Sequence, residues 1–597
     1  GSMVEEEEKA GPAGAVDESA RQEAASTTLR AQPALGAALA ASALLAACGG
    51  GGGGNDGATG GSAGANTAGS LAPLANSATA AGYAYTSAKS DAEAARFALQ
   101  AQGYATDSDI AAVRSLGYLP WLAQQFDAAP TQSGWDWFNG KYQGLSNFGF
   151  DNMIWSQLMA SPDGMRKRMA LALSEIFVVS GTDIGSSWPN HMMAQYWDTL
   201  VAGVTGNFRD LLEAISLNPA MGYYLNTRGN QKENAQGRQP DENYAREVMQ
   251  LMTIGLYQLD SKGQAKVGAD GNKLDSYTQD DVTNLARVFT GYDLNVAAGE
   301  ENASVSNMWT TRPMALFPTR HSTLAANFLG TSVPANTDGK LALKMALDAL
   351  FNHPNVGPFI GKQLIQRLVT SNPSPDYVGR VASVFENNGA GVRGDMRSVF
   401  AAVVLDNEAR SPDGLSNPNF GRLREPILRL VQWARTLGAT SATGLWNINT
   451  TSDPSTQLGQ SPLRSPSVFN FFRPGYVPPS TAIASKGMVA PEFQLVNETS
   501  VGGYLNYIQG VIGSTTNDVR STYATEMGLV MDASALVDRL NLLLCANQLD
   551  PAATVNLIKS ALGNPALTAS SNEAARLNRV RAAILLVMAS PEYLIQK

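Results

Sequence analysis

The sequence predicts a mainly α-helical protein, with one large globular region of many helices joined by long loops. Apolar residues recur at helical spacing from Ser90 onward, whereas the alternating patterns typical of strands are few. The chain has 597 residues, 44% of them hydrophobic and 16% charged, which is the balance of a protein with a large buried core. We therefore predict a single helical domain over residues 83–597, with a division into two lobes as the alternative.

Helix boundaries are marked by typical start and stop residues. Ser90 and Asp107 are placed to cap the beginnings of helices, and Gly291 follows an apolar stretch as a stop signal. Segments 260–276 and 295–317 interrupt the helical pattern, and we expect long loops or a small hairpin insertion there. The clearest helical stretches are 169–177, 208–217, 244–254, 282–289, 341–350, 378–385, 396–405, 427–437 and 536–544.

The N-terminal region has the features of a leader. Residues 1–3, Gly-Ser-Met, are typical of a remnant left by expression. Residues 4–48 end in a stretch of mostly Ala and Leu that is too short to cross a bilayer comfortably as a helix. The stretch closes as Leu45-Ala46-Ala47-Cys48, which resembles a bacterial lipobox. In a lipobox the cysteine accepts a diacylglyceryl group, and two acyl chains are enough for stable anchoring.

A tether is predicted directly after this cysteine. Residues 49–82 are Gly, Ala, Ser, Thr and Asn with almost no large apolar side chain, so burial cannot offset the entropy of ordering them. The alternative is an Ala-rich linker that happens to contain a cysteine, and the acidic run Glu5 to Glu8 favours it because signal peptides begin basic. The Gly run after Cys48 favours the anchor. We predict a lipoprotein of the bacterial cell envelope, joined to the membrane through Cys48.

Composition argues against several classes of function. The net charge is −9 and no basic patch stands out in the sequence, which argues against nucleic acid as a main partner. The three histidines, His191, His321 and His353, lack the spacing of a zinc site. A Gly-x-Ser-x-Gly pattern occurs only within residues 60–64 of the tether, which disfavours an α/β-hydrolase. No cofactor is indicated, and an oxygen-ligated divalent cation remains open.

The stretch 240–251, Pro-Asp-Glu-Asn-Tyr-Ala-Arg-Glu-Val-Met-Gln-Leu, is the most informative for chemistry. Proline and aspartate at its start are helix-initiating residues. Glu242 and Arg246 are one helical turn apart, as are Asn243 and Glu247, and apolar residues line the opposite face. The pattern predicts a polar cluster on one side of a helix that is oriented by its buried side.

Two later segments are similar in character. Thr278 is placed to cap a helix in which Asp281 completes a capping box, and Arg287 lies on the same helix. Arg320 and His321 follow in a loop. We expect Asp281 or Arg287 to join the charges of the first helix. The candidate catalytic residues are thus Glu242, Arg246, Glu247, Asp281 and His321, and the candidate substrate-binding residues are Asn243, Arg287 and Arg320.

Several motifs in order resemble a known family. They are Asp-Glu-Asn-Tyr-Ala-Arg-Glu at 241–247, Tyr-Thr-x-x-Asp at 277–281, Ala-Arg-x-x-Thr-Gly-Tyr at 286–292 and the loop histidine, followed by pieces at 358–367, 422–426 and 465–472. Together they resemble the family called domain of unknown function 1800, over roughly residue 94 to the C-terminus. The family shows His-Asp where this chain has His321-Ser322, and this departure weakens a metal or acid/base role there.

The resemblance implies bacterial envelope or secreted proteins, often encoded beside a sulfatase-like family, and carries no activity with it. Two functions therefore remain open. The first is an envelope-anchored enzyme with a carboxylate and arginine cleft for an anionic or polymeric substrate. The second is a non-catalytic assembly or binding protein that partners a sulfatase-like neighbour or a surface polymer. In that case the same charges form a structural ion-pair network.

Overall fold

The computed structural model describes residues 86–129, 131–142, 147–478, 482–513 and 518–597. Over these residues the chain forms 25 α-helices, and its strands are only two or three residues long, so the mainly α class is confirmed. The predicted leader, Cys48 and the tether through residue 82 lie outside the described residues. Among the described residues, no helix combines the length and the apolar character needed to span a membrane.

Each of the predicted helical stretches overlaps a helix, although 244–254 and 169–177 extend beyond the ends of theirs. The helices before the site are α1 Asp91–Gln102, α2 Asp107–Leu116, α3 Tyr118–Asp127, α4 Gly134–Lys141, α5 Phe150–Ala160, α6 Gly164–Ser174, α7 Pro189–Thr205, α8 Phe208–Ser216 and α9 Pro219–Tyr224. Those of the middle region are α10 Asn243–Gln250, α11 Gln279–Val288, α12 Gly339–Phe351, α13 Val356–Leu368, α14 Pro375–Glu386, α15 Met396–Leu405, α16 Asn407–Arg410, α17 Asp413–Ser416 and α18 Pro426–Thr436. The last are α19 Ala482–Ser485, α20 Glu498–Ile512, α21 Ala524–Met527, α22 Ala533–Cys545, α23 Asn556–Leu562, α24 Glu573–Met588 and α25 Pro591–Leu594.

The predicted helix starts are correct to within a few residues. Ser90 caps α1, and its hydroxyl accepts the N–H of Glu93. Asp107 was predicted as a cap, but the cap is Thr106, which forms a reciprocal capping box with Asp109. A hydroxyl one residue earlier competes for the same position, and the Asp109 carboxylate then satisfies the backbone N–H of Thr106.

The strands form four antiparallel pairs that fasten loops and the C-terminus. They are β1 Tyr292–Asp293 with β2 Ala315–Leu316, β3 Ala326–Phe328 with β4 Thr331–Val333, β5 Arg422–Leu423 with β8 Ile595–Gln596, and β6 Thr440–Ser441 with β7 Val519–Arg520. Isolated bridges also join Tyr257 to Asp275, Leu259 to Ala265 and Val267 to Lys273. The segment 260–276 therefore takes part in a small hairpin insertion, one of its two predicted forms.

A continuous apolar cluster runs from Ala88 to Ile595 and encloses a group of buried charges. We call this group the core charge network, and its members are Arg168, Glu175, Arg367, Arg422, Glu425 and Glu492. Arg422 Nη2 lies 2.8 Å from Glu425 Oε2 and 2.9 Å from Glu492 Oε1. Gln460 Nε2 donates to the other oxygen of Glu425 at 3.0 Å.

The carboxyl groups of the core charge network differ in acidity. Burial and the neighbouring Glu425 raise the pKa of Glu175 well above its usual range. Burial also raises the pKa of Glu492, although Arg422 opposes the shift. Burial opposes ionisation of Glu425 as well, but Arg422 and a hydrogen bond from Glu175 lower its pKa to about 2. The negative charge is therefore favoured on Glu425, beside Arg422.

Candidate functional site

An open cleft of about 570 Å³ lies where the start of α10 meets α11. Four of the candidate residues, Glu242, Asn243, Arg246 and Arg287, line it together. The remaining lining residues are Gln239, Pro240, Asp241 and Thr283. The folded chain thus brings one predicted acid, two predicted arginines and a predicted amide to the same surface.

The start of α10 differs from the sequence prediction. The helix begins at Asn243, so Asp241 and Glu242 precede it instead of occupying its first turn. The Asp241 carboxylate accepts the backbone N–H of Asn243 at 2.8 Å, which supplies a partner for a helix-end donor. Glu242 makes no such cap bond, and its side chain extends to α11.

The Glu242 carboxylate is held by two donors on α11. Gln279 Nε2 donates to Oε1 at 3.1 Å and Thr283 Oγ1 donates to Oε2 at 2.9 Å. The side chain of Glu242 is nevertheless 32% exposed, so the carboxylate is oriented and still reachable from the cleft. Sequence reasoning missed Gln279 and Thr283. They lie one turn apart on α11, but neither carries a charge that would mark it.

The two arginines of the cleft lie at long distances from their carboxylate partners. Arg246 Nη2 donates to Gln279 Oε1 at 3.1 Å and lies 3.5 Å from Glu242 Oε1, with 10% of its side chain exposed. Arg287 Nε lies 3.4 Å from Glu233 Oε2, while its Nη1 donates to the Ala325 carbonyl at 2.6 Å. Charge-assisted N–H···O bonds are usually 2.7–2.9 Å long. Neither guanidinium is therefore tightly neutralised by its carboxylate.

Glu247 does not share the cleft with its neighbours. Its side chain is fully buried, neither carboxylate oxygen has a hydrogen-bond partner, and it is not among the lining residues. Burial raises the pKa of Glu247 to about 8, although Arg246 opposes the shift. The predicted polar face of α10 is wrong in this respect, because every residue from Asn243 to Gln250 is buried. Glu247 is mostly a neutral acid at neutral pH.

Asp281 has a structural environment. It completes the predicted capping box of α11, where its Oδ2 accepts the N–H of Thr278 at 2.8 Å. Its Oδ1 accepts the N–H of Leu329 at 2.9 Å, which ties the helix start to the end of β3. Both oxygens are engaged with the backbone, and Asp281 does not line the cleft.

His321 and Arg320 lie beside the cleft and do not line it. His321 is buried, with Nδ1 at 2.9 Å from the carbonyl of Thr290. The backbone of His321 lies close to Gly291, whose φ is +89°. A Cβ atom on Gly291 would come within 2.9 Å of the backbone nitrogen of His321. Arg320 lies 3.5 Å from Asp293 and stacks over the ring of Phe317.

The other two histidines have structural surroundings. Aromatic rings enclose His191, burial lowers its pKa to about 4, and its Nε2 lies 3.0 Å from Asn139 Oδ1. His353 accepts the N–H of Asn355 through Nδ1. In the part of the chain that the structure describes, no three His, Cys, Asp or Glu side chains are grouped closely enough to hold a metal ion.

Comparison with known proteins gives one result. The model of the family described as "Protein of unknown function (DUF1800)" matches residues 97–595, which include the cleft, the hairpin insertion and the core charge network. No curated protein and no solved structure matches the chain. The match spans nearly all of the described residues, and the protein therefore belongs to the DUF1800 family.

Proposed function

We propose that the protein is a lipid-anchored protein of the bacterial cell envelope whose cleft binds and acts on an anionic substrate. The observation that carries the proposal is the meeting of Arg246 and Arg287, from two helices, on one open cleft. Their carboxylate partners are 3.4–3.5 Å away, so an incoming carboxylate, phosphate or sulfate can compete for the guanidinium groups.

Glu242 supports a catalytic use of the cleft. A general base must be held within reach of the substrate, and this carboxylate is fixed by Gln279 and Thr283 at the cleft wall. The second candidate function is binding without catalysis, to a surface polymer or a sulfatase-like partner. It is favoured by the positions of Glu247 and Asp281, two of the predicted acids that do not line the cleft.

Arg246→Gln and Arg287→Gln should each weaken anion binding. A hydrogen bond to a charged group contributes about 1.5–3 kcal/mol, which corresponds to roughly a 10- to 100-fold loss of affinity. Titration calorimetry measures the affinity of each variant for inorganic phosphate and for galacturonate. Arg114→Gln is the matched control, because this arginine pairs with Asp91 at an exposed position outside the cleft and its loss should leave the affinity unchanged. Equal affinity in all variants, or no binding by the wild type, would contradict the proposal.

The anchor is tested separately from the cleft. Cys48→Ser should abolish incorporation of a palmitate analogue when the full chain is expressed in a bacterial host with lipoprotein processing. Cys545→Ser is the control, because burial raises the pKa of that thiol to about 12 and makes it unreactive. Labelling that survives in Cys48→Ser would show that this cysteine is not the lipid acceptor.

A further inference from the structure

We propose that the cleft is one end of a longer surface that binds an acidic polysaccharide chain, and this inference rests on the proposed function of the cleft. The surface continues from the cleft along the loop 226–242. We call it the basic track and define it by the side chains of Arg228, Lys232, Arg238 and Arg320. It would give the protein several contacts along one polymer where the cleft alone makes one.

Backbone hydrogen bonds place the parts of the track side by side. Gly229 N–H donates to the carbonyl of Tyr292 at 2.9 Å, and Gly291 N–H donates to the carbonyl of Asn230 at 2.8 Å. Lys232 N–H then donates to the carbonyl of Arg320 at 2.9 Å. The loop therefore runs along β1 and the 317–321 turn before it reaches the cleft at Gln239.

The far end of the track has two arginines on one carboxylate. Arg228 and Arg320 lie 3.4 and 3.5 Å from the two oxygens of Asp293, and their side chains are 38% and 42% exposed. Arg228 stacks over Tyr223 at 4.4 Å and Arg320 over Phe317 at 4.7 Å. Stacking limits the freedom of both side chains, so less entropy is lost when they bind an anion.

The middle of the track connects this end to the cleft. Arg238 Nε donates to the backbone carbonyl of Lys232 at 2.7 Å, which holds the Arg238 guanidinium beside this part of the loop. The next residue, Glu233, is the long-distance partner of Arg287 in the cleft. A path of contacts thus leads from Asp293 through Arg320, Lys232 and Glu233 to Arg287 at the cleft wall.

Six cations are gathered on the track and the cleft of a chain whose net charge is −9. They are the four of the track with Arg246 and Arg287. Glu233, Asp241, Glu242 and Asp293 lie among them. Cations gathered along one surface of an acidic protein can attract a polyanion to that surface.

The side chains of this surface suit a polysaccharide better than a nucleic acid. Single-stranded nucleic acids are bound through aromatic rings on which bases stack. No aromatic side chain is among the lining residues of the cleft, and the rings of Tyr223 and Phe317 are covered by arginines. Gln239, an exposed residue of the cleft, instead offers an amide group that can bond to the hydroxyls of a sugar.

The test compares a monomer with an oligomer of one sugar acid. Affinities for galacturonate and for an oligogalacturonate are measured on the full chain, with the wild type and with the Arg228→Gln/Lys232→Gln/Arg320→Gln variant. We expect the wild type to bind the oligomer at least 10-fold more tightly than the monomer, and more weakly as salt increases. The track variant should lose this gain and still bind the monomer normally. The melting temperature of the track variant checks that the fold is intact. The Arg228→Lys/Arg320→Lys variant keeps both charges and should keep the gain in affinity for the oligomer.

The outcomes separate the two proposals. If the wild type does not bind the monomer, the function proposed for the cleft is wrong. If the monomer binds and the oligomer gains nothing, or if the track variant keeps the gain, the extended surface is wrong. An oligothymidylate of the same charge that binds more tightly than the oligogalacturonate would overturn the assignment to an acidic polysaccharide.

Discussion

Arg422→Ala is expected to destabilise the protein by on the order of 3–5 kcal/mol, because it leaves buried carboxylates without their cation. Arg422 is fully buried and contacts both Glu425 and Glu492, whose side chains are 1% exposed. Arg422 is also a main reason that the pKa of Glu425 stays low despite burial. Without it, the carboxylates must take up protons or remain charged in an apolar interior. Denaturant midpoints at neutral pH measure the loss.

Two comparisons show whether the loss comes from stranded charge. Arg114→Ala breaks an exposed ion pair with Asp91, and it should cost under about 1 kcal/mol. Replacing Arg422 together with the two carboxylates that it contacts, in Arg422→Met/Glu425→Gln/Glu492→Gln, should recover part of the stability, because neither carboxylate is then left charged without Arg422. If Arg422→Ala were as mild as Arg114→Ala, the core charge network would contribute nothing to the fold.

The nine helical stretches were predictable because apolar residues recur in each at helical spacing, a period that the local sequence shows directly. The capping box of α11 was predictable for the same reason, since Thr278 and Asp281 are three residues apart. The core charge network could not be predicted from local sequence. Arg422 and Glu425 are close in sequence, but Glu492 is 70 residues further on, and no local spacing predicts that contact.

The candidate site was predictable only in part. Glu242, Arg246 and Arg287 meet in one cleft, as a helix with charges at the spacing of one turn suggested. Glu247 follows Arg246 directly in the sequence but is sealed in the core. Which side of a short helix meets solvent depends on what packs around it. Here all eight residues of α10 are buried and only Asn243 and Arg246 reach the cleft, and no periodicity within eight residues predicts that division.

Glu247→Gln is expected to stabilise the protein at alkaline pH and to have little effect near pH 5. Burial raises the pKa of Glu247 from 4.5 to about 8 in the folded protein. Between these values the unfolded chain loses its proton while the folded protein keeps it, so the contribution of Glu247 to stability falls as pH rises and levels off above about 8. At about 1.4 kcal/mol per pKa unit, the benefit of the glutamine should reach several kcal/mol by pH 9.

Denaturant midpoints at pH 5, 7 and 9 for the wild type, Glu247→Gln and Arg246→Gln test this expectation. Since Glu247 is mostly neutral at pH 7, removing Arg246 leaves little buried charge without a partner at that pH. The loss of stability in Arg246→Gln should therefore be small at pH 7 and larger at pH 9. Anion binding should be lost in Arg246→Gln and kept in Glu247→Gln, because only Arg246 lines the cleft. A large loss of stability in both variants at pH 7 would instead mean that Glu247 is ionised and paired with Arg246. In that case the pair holds the helices together, and the scaffold function is the better explanation.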